Sequence, residues 1–181
     1  MTFVKIKPII PYIGIPVLCV VLLFLQVSHV QPFVIIQRLL LIVFGYIATV
    51  NDVKTKTIKN SLVLAMLAAW IVITVPLLLF DINNSVGILL DAILGFVTSG
   101  ALFMLVYVLS RKGLGGGDVK FMAVAGLYLG FYGVLPAILV GTMSAALVGI
   151  VLLITKKINR KDSIPLAPFL YVGILVTIFI V

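Results

Sequence analysis

SLVLAMLAAWIVITVPLLLF, residues 61–80, runs for twenty residues without a single charge. A helix rises 1.5 Å per residue, so this stretch covers ~30 Å, the thickness of a bilayer's hydrocarbon core. Comparable apolar segments lie on both sides of it, at roughly 9–27, 33–51, 86–110, 119–132, 134–155 and 164–181. Of the 181 residues, 64% are hydrophobic, against ~45–50% in soluble domains. A water-soluble fold of this length could not hide the excess. The expected fold is all-α, a polytopic transmembrane bundle of about seven segments. Three prolines, Pro8, Pro11 and Pro16, favour a kinked or tilted first segment. The fifth segment is short and Gly-rich, the pattern of a broken or re-entrant helix.

The loops between the spans carry the charge. Net charge is +8, from 13 Lys and Arg against 5 acids. With the N-terminus inside, Lys5, Lys7, Lys54, Lys56, Lys59, Arg111, Lys112, Lys120, Lys156, Lys157, Arg160 and Lys161 all fall on the cytoplasmic side. Only Arg38 falls toward the other face. The positive-inside rule accounts for the basic balance, and no basic stripe on a polar domain suggests nucleic acid. A single cysteine, Cys19, excludes a disulfide framework within the chain. The N-terminal stretch lacks a small-residue cleavage site and reads as a retained span, not a removed signal. Small residues four apart, Gly95 and Ser99, Gly126 and Gly130, and the row Gly141, Ala145, Gly149, predict close helix packing.

All five acids are Asp. Asp162 balances a basic loop, and Asp81 suits a turn or cap. Asp91 lies two turns into its segment and must face the bundle or snorkel. Asp52 and Asp118 stand apart. Each sits at the cytoplasmic end of an apolar span, and two segments separate them. An even number of crossings returns the chain to the same face, so both carboxylates can reach one depth. Ionisable residues inside a membrane are costly and are candidates for a functional site. Asp118 follows Gly113-Leu114-Gly115-Gly116-Gly117. These glycines either admit close approach of another backbone or form a flexible loop with Asp118 as a helix cap.

Two adjacent carboxylates share a proton, because like charges a few ångströms apart do not both ionise easily. One then takes a proton from water while the other polarises a carbonyl. That chemistry requires no metal and no cofactor. A His-Glu-x-x-His metal site is impossible with one His and no Glu. His29, in an expected outer loop, does not support a Ser–His pair either.

Three local patterns resemble the prepilin peptidases, also called type IV leader peptidases. Asp52-Val53-Lys54-Thr55-Lys56-Thr57-Ile58-Lys59-Asn60 is similar to the family's Asp, five residues, Ile-Pro-Asn signature, with Lys59 where the family has Pro. Gly115-Gly116-Gly117-Asp118-Val119-Lys120 resembles Gly-x-Gly-Asp-Val-Lys. Ile164-Pro165-Leu166-Ala167-Pro168-Phe169-Leu170 resembles the Pro-rich start of the family's last helix. Presenilin-type proteases share Gly-x-Gly-Asp, but their Pro-Ala-Leu motif is missing here, where Pro165-Leu166-Ala167-Pro168 stands.

The resemblance implies one membrane domain over 1–181, with a peptidase core at 33–181 and an additional N-terminal helix at 1–32. It implies Asp52 and Asp118 as the catalytic pair, and Gly115, Gly117, Asn60, Lys120, Pro165 and Pro168 as residues of substrate binding or loop geometry. Asn60 can instead cap its helix, and Lys120 can snorkel. The resemblance further implies cleavage of basic leaders from type IV pilin-like or pseudopilin precursors at the cytoplasmic face of the plasma (inner) membrane. Many members carry a cytoplasmic domain with paired cysteines and N-methylate the product; the form expected here lacks that domain. Two other classes fit the same composition: a non-catalytic membrane assembly factor, and a cation transporter or channel component using Asp52, Asp91 and Asp118.

Overall fold

The computed structural model describes residues 32–80, 82–110, 114–156 and 164–180. These form five α-helices: α1 Pro32–Thr55, α2 Asn60–Phe80, α3 Ile82–Leu109, α4 Gly116–Ile154 and α5 Ala167–Ile180. Four of them, α1 to α4, are long and apolar enough to cross a membrane; α5 is a shorter apolar helix of 14 residues. The expected first segment, with Lys5 and Lys7, lies outside the described residues, as do Asp81 and Asp162.

The fifth and sixth expected segments differ from the structure. No loop separates them near Tyr132; α4 is two helical arms, 39 residues together, that join directly at a kink. A straight helix of that length would span ~58 Å, about twice a hydrocarbon core. Gly130 interrupts it with φ 69 and ψ −179, a conformation open to glycine alone. The two arms pack on different partners. In the first, Gly126 lies against the backbone of Gly95 on α3, and Ala123 against Gly100. In the second, Gly141 meets Leu170 and Gly173 of α5, and Gly149 meets Ile164. Ala167 lies three residues beyond Ile164 and bonds to Asp52, whose charge is felt at Asp118. Both ends of α4 therefore approach the same end of the bundle, and the helix doubles back at Gly130. Pro136, inside the second arm, is not the break.

Why the break falls there is visible on α3. A helix interrupted in an apolar interior leaves backbone N–H groups without partners. Asp91 supplies one acceptor: its Oδ1 takes the N–H of Phe131 at 3.1 Å. Its other oxygen packs on Gly130, where any side chain would collide with it. Asp91 thus faces the bundle, one of the two placements its position allowed.

The first arm of α4 is the centre of the molecule. Every residue from Phe121 to Tyr128 is buried, the mark of a helix surrounded by protein. Trp70 Nε1 donates to the Leu127 carbonyl at 3.0 Å, and Tyr128 Oη donates to the Met66 carbonyl at 2.6 Å. These bonds tie α2 alongside that arm. Elsewhere large apolar side chains point outward: Val72 is 70% exposed and Leu109 73%. In water such faces would aggregate; in a bilayer they meet lipid. The predicted small-residue contacts are present, with Gly95 and Gly126 in direct backbone contact and Ser99 beside them.

Candidate active site

Three helix termini converge at one end of the bundle. Asp52 lies one turn before the end of α1, Asp118 is the third residue of α4, and Ala167 is the first of α5. The end of α1 is well defined. Lys56 adopts a left-handed φ of 52 and its N–H closes on the Asp52 carbonyl at 2.7 Å, a common way to terminate a helix. Thr55 Oγ1 also donates to the Asn51 carbonyl at 2.8 Å.

Both carboxylates are buried: Asp52 is 4% exposed and Asp118 7%. The Asp52 charge acts on Asp118 through space, so the two share one electrostatic environment. Asp52 Oδ2 accepts the Ala167 N–H at 2.9 Å. That N–H has no acceptor within its own helix, because it lies in the first turn of α5. Asp118 turns toward the backbone N–H of Gly115, and its Oδ1 is buried with no hydrogen-bond partner. Each helix N-terminus carries about half a positive charge, so α4 and α5 both favour anions at this place. Two buried acids are tolerated here because two positive helix ends face them. No cluster of metal ligands occurs among the described residues.

The glycines of the 113–117 run have separate tasks. A side chain on Gly115 would come within 2.7 Å of Asp118 Oδ2. One on Gly117 would press on Ile58, 3.0 Å from its Cβ and 3.1 Å from its carbonyl oxygen. Gly116 faces open space. Ile58 is the apolar residue of an otherwise polar loop, and it is buried where Gly117 admits it. This contact holds the α1–α2 loop against the start of α4.

Asn60 and Lys120 bond to each other: Lys120 Nζ donates to Asn60 Oδ1 at 3.1 Å. Asn60 begins α2, but the Lys59 carbonyl accepts the N–H groups of Leu62 and Val63. The pair is exposed and links the first turns of α2 and α4. Pro165 and Pro168 flank Ala167, and Pro168 sits in the first turn of α5, where its missing N–H costs nothing. The sequence reading named the two prolines but not Ala167, which makes the contact. Its contribution is a backbone N–H, and the only trace in the sequence is its place at a proline-marked helix start.

The model of the type IV leader peptidase family matches residues 39–154, a stretch that holds both carboxylates. Similar proteins include a prepilin leader peptidase/N-methyltransferase of Xanthomonas campestris pv. campestris, 35% identical over 86 residues, covering 47% of this chain and 30% of that protein. Another is a prepilin leader peptidase/N-methyltransferase of Pectobacterium carotovorum subsp. carotovorum, 30% identical over 143 residues, covering 75% of this chain and 48% of that protein. The chain thus spans less than half the length of the curated relatives it matches. No solved structure matches. With a match across more than half its length, the chain belongs to the type IV leader peptidase family.

Proposed function

We propose that this protein is a membrane aspartic endopeptidase that removes the basic leader from type IV prepilin-like precursors at the cytoplasmic face of the plasma membrane. The reading rests on one observation above all: two buried Asp residues from separate helices lie at one end of an apolar bundle, where the charge of one acts on the other. Family membership supports it. On this reading the chain crosses the membrane seven times, the two arms of α4 counting as two crossings and the N-terminal segment as one. The Lys-rich loops then place the dyad in the cytoplasmic half.

The chemistry follows from the pair. One proton is shared between Asp52 and Asp118 and belongs to the pair. The ionised carboxylate takes a proton from a water, whose oxygen attacks the scissile carbonyl carbon. The protonated carboxyl gives its proton to the carbonyl oxygen, forming a neutral tetrahedral diol. As the diol collapses, the C–N bond breaks, the amine leaves with one proton, and the leader keeps a new carboxylic acid. The unpartnered Oδ1 of Asp118 is the free position from which a water or carbonyl can be engaged. The Ala167 N–H keeps Asp52 in place, so little reorganisation is needed during reaction. The open side of Gly116 leaves room for an extended peptide beside the acids.

Purified protein in detergent, incubated with a panel of prepilin-like precursors, provides the test. Mass spectrometry is expected to find a single cut between the basic leader and the hydrophobic helix. Folded protein that leaves every precursor intact would count against the proposal.

A further inference from the structure

At the end of the bundle opposite the dyad, α1, α3, the break in α4 and α5 line a half-open cavity of about 330 Å³. That is the small end of the range for ligand sites. Arg38 of α1 and Asp91 of α3 both line it, with Gln37 and Thr177. No ion pair joins Arg38 to Asp91 among the described residues, and Arg38 Nη1 is buried with no hydrogen-bond partner. Thr177, 3% exposed, also has a buried hydroxyl without a partner. Gln37 is already engaged, donating to Thr74 Oγ1 at 3.4 Å. A buried guanidinium nitrogen without an acceptor is disfavoured, so such a group is normally satisfied.

The two charges define the missing partner. A simple anion would satisfy Arg38 but face the carboxylate of Asp91. A simple cation would do the reverse. A zwitterion satisfies both. Arginine prefers a planar or tetrahedral oxyanion such as phosphate, and a carboxylate prefers a primary ammonium, which offers three donors. Val34, Gln37 and Arg38, on the cavity wall, lie in the first two turns of α1, near the end of an apolar span. Lipid surrounds the protein at very high local concentration.

We propose that this cavity binds the headgroup of a phospholipid carrying a primary ammonium, its phosphate on Arg38 and Thr177 and its ammonium on Asp91. Occupancy would brace α1 against α3 and the break at Gly130. The site is independent of the peptidase reading, and its test does not use cleavage.

Native mass spectrometry of the purified full chain, exchanged into mixtures of phosphatidylethanolamine, phosphatidylcholine and phosphatidylglycerol, reads the site directly. One phosphatidylethanolamine is expected to be retained over each competitor by about tenfold, the scale of one charge-assisted hydrogen bond. Arg38→Gln should lose retention of phosphatidylethanolamine, while Arg38→Lys should keep part of it. Asp91→Asn retains an acceptor for Phe131 and should lose the preference over both phosphatidylglycerol and phosphatidylcholine while still retaining lipid phosphate on Arg38. Equal retention of the three lipids by the native chain would overturn the proposal, leaving a cavity that holds water. So would a preference that survives both Arg38→Gln and Asp91→Asn. Free phosphoethanolamine, added to protein in phosphatidylcholine, separates the two sources of the headgroup. Its retention without retention of the lipid would overturn the lipid as the ligand.

Discussion

The two ends of this bundle handle charge in opposite ways. At one end, Asp52 and Asp118 carry the same sign and share one electrostatic environment. At the other, Arg38 and Asp91 carry opposite signs and line one cavity without pairing. Two like charges in an apolar interior should be the less favourable arrangement. It is supported by backbone: the start of α4 beneath Asp118, and the start of α5, whose first N–H reaches Asp52. At the far end the backbone works differently. There Asp91 serves the chain by accepting the N–H of Phe131 where α4 breaks. On the proposed reading, carboxylates served by helix ends are positioned to react, whereas a carboxylate that serves a helix end holds the fold.

That contrast can be broken from either side. Asp52→Asn or Asp118→Asn should leave the protein in the membrane and lower cleavage by at least about a thousandfold, since each carboxyl handles a proton. Gly115→Ala would push a methyl group onto Asp118 Oδ2. A misplacement of that kind costs about a hundredfold in kcat/KM with little change in thermal unfolding. At the far end the same type of change should act on stability. Gly130→Ala meets both a positive φ and the Asp91 carboxylate, and should cost about 3 kcal/mol, seen as a lowered unfolding temperature. Lys120→Met removes one exposed hydrogen bond to Asn60 and should shift stability by less than about 1 kcal/mol. Gly116→Ala, facing open space, should keep cleavage within about twofold of the native rate; a larger loss would mean that the whole glycine run, not Gly115, positions the acid.

Much of the end that holds Asp52 and Asp118 is legible in the sequence. Apolar runs with Lys-rich ends mark the spans, and the even number of crossings between Asp52 and Asp118 brings them to one face. Tertiary backbone contacts were not readable. Ala167 contributes an N–H that every residue but proline possesses, so its identity carries no signal. The fold-back in α4 was expected as a loop near Tyr132, whereas it is a single glycine, because Asp91 on another helix satisfies the freed N–H. Arg38 stands out in the sequence as the one cation on the far side, but a cavity formed by four helices leaves no local pattern. Asn60 and Lys120 were each read alone, and their bond across sixty residues is a product of the fold.

The central claim is that Asp52 and Asp118 act as one unit. Cleavage of a prepilin-like precursor by Asp52→Asn, Asp118→Asn and the double variant tests it most directly. A unit predicts that each single substitution lowers kcat/KM about as far as the pair together. Losses that multiply, or a single variant that still cleaves at a rate near the native one, would contradict it.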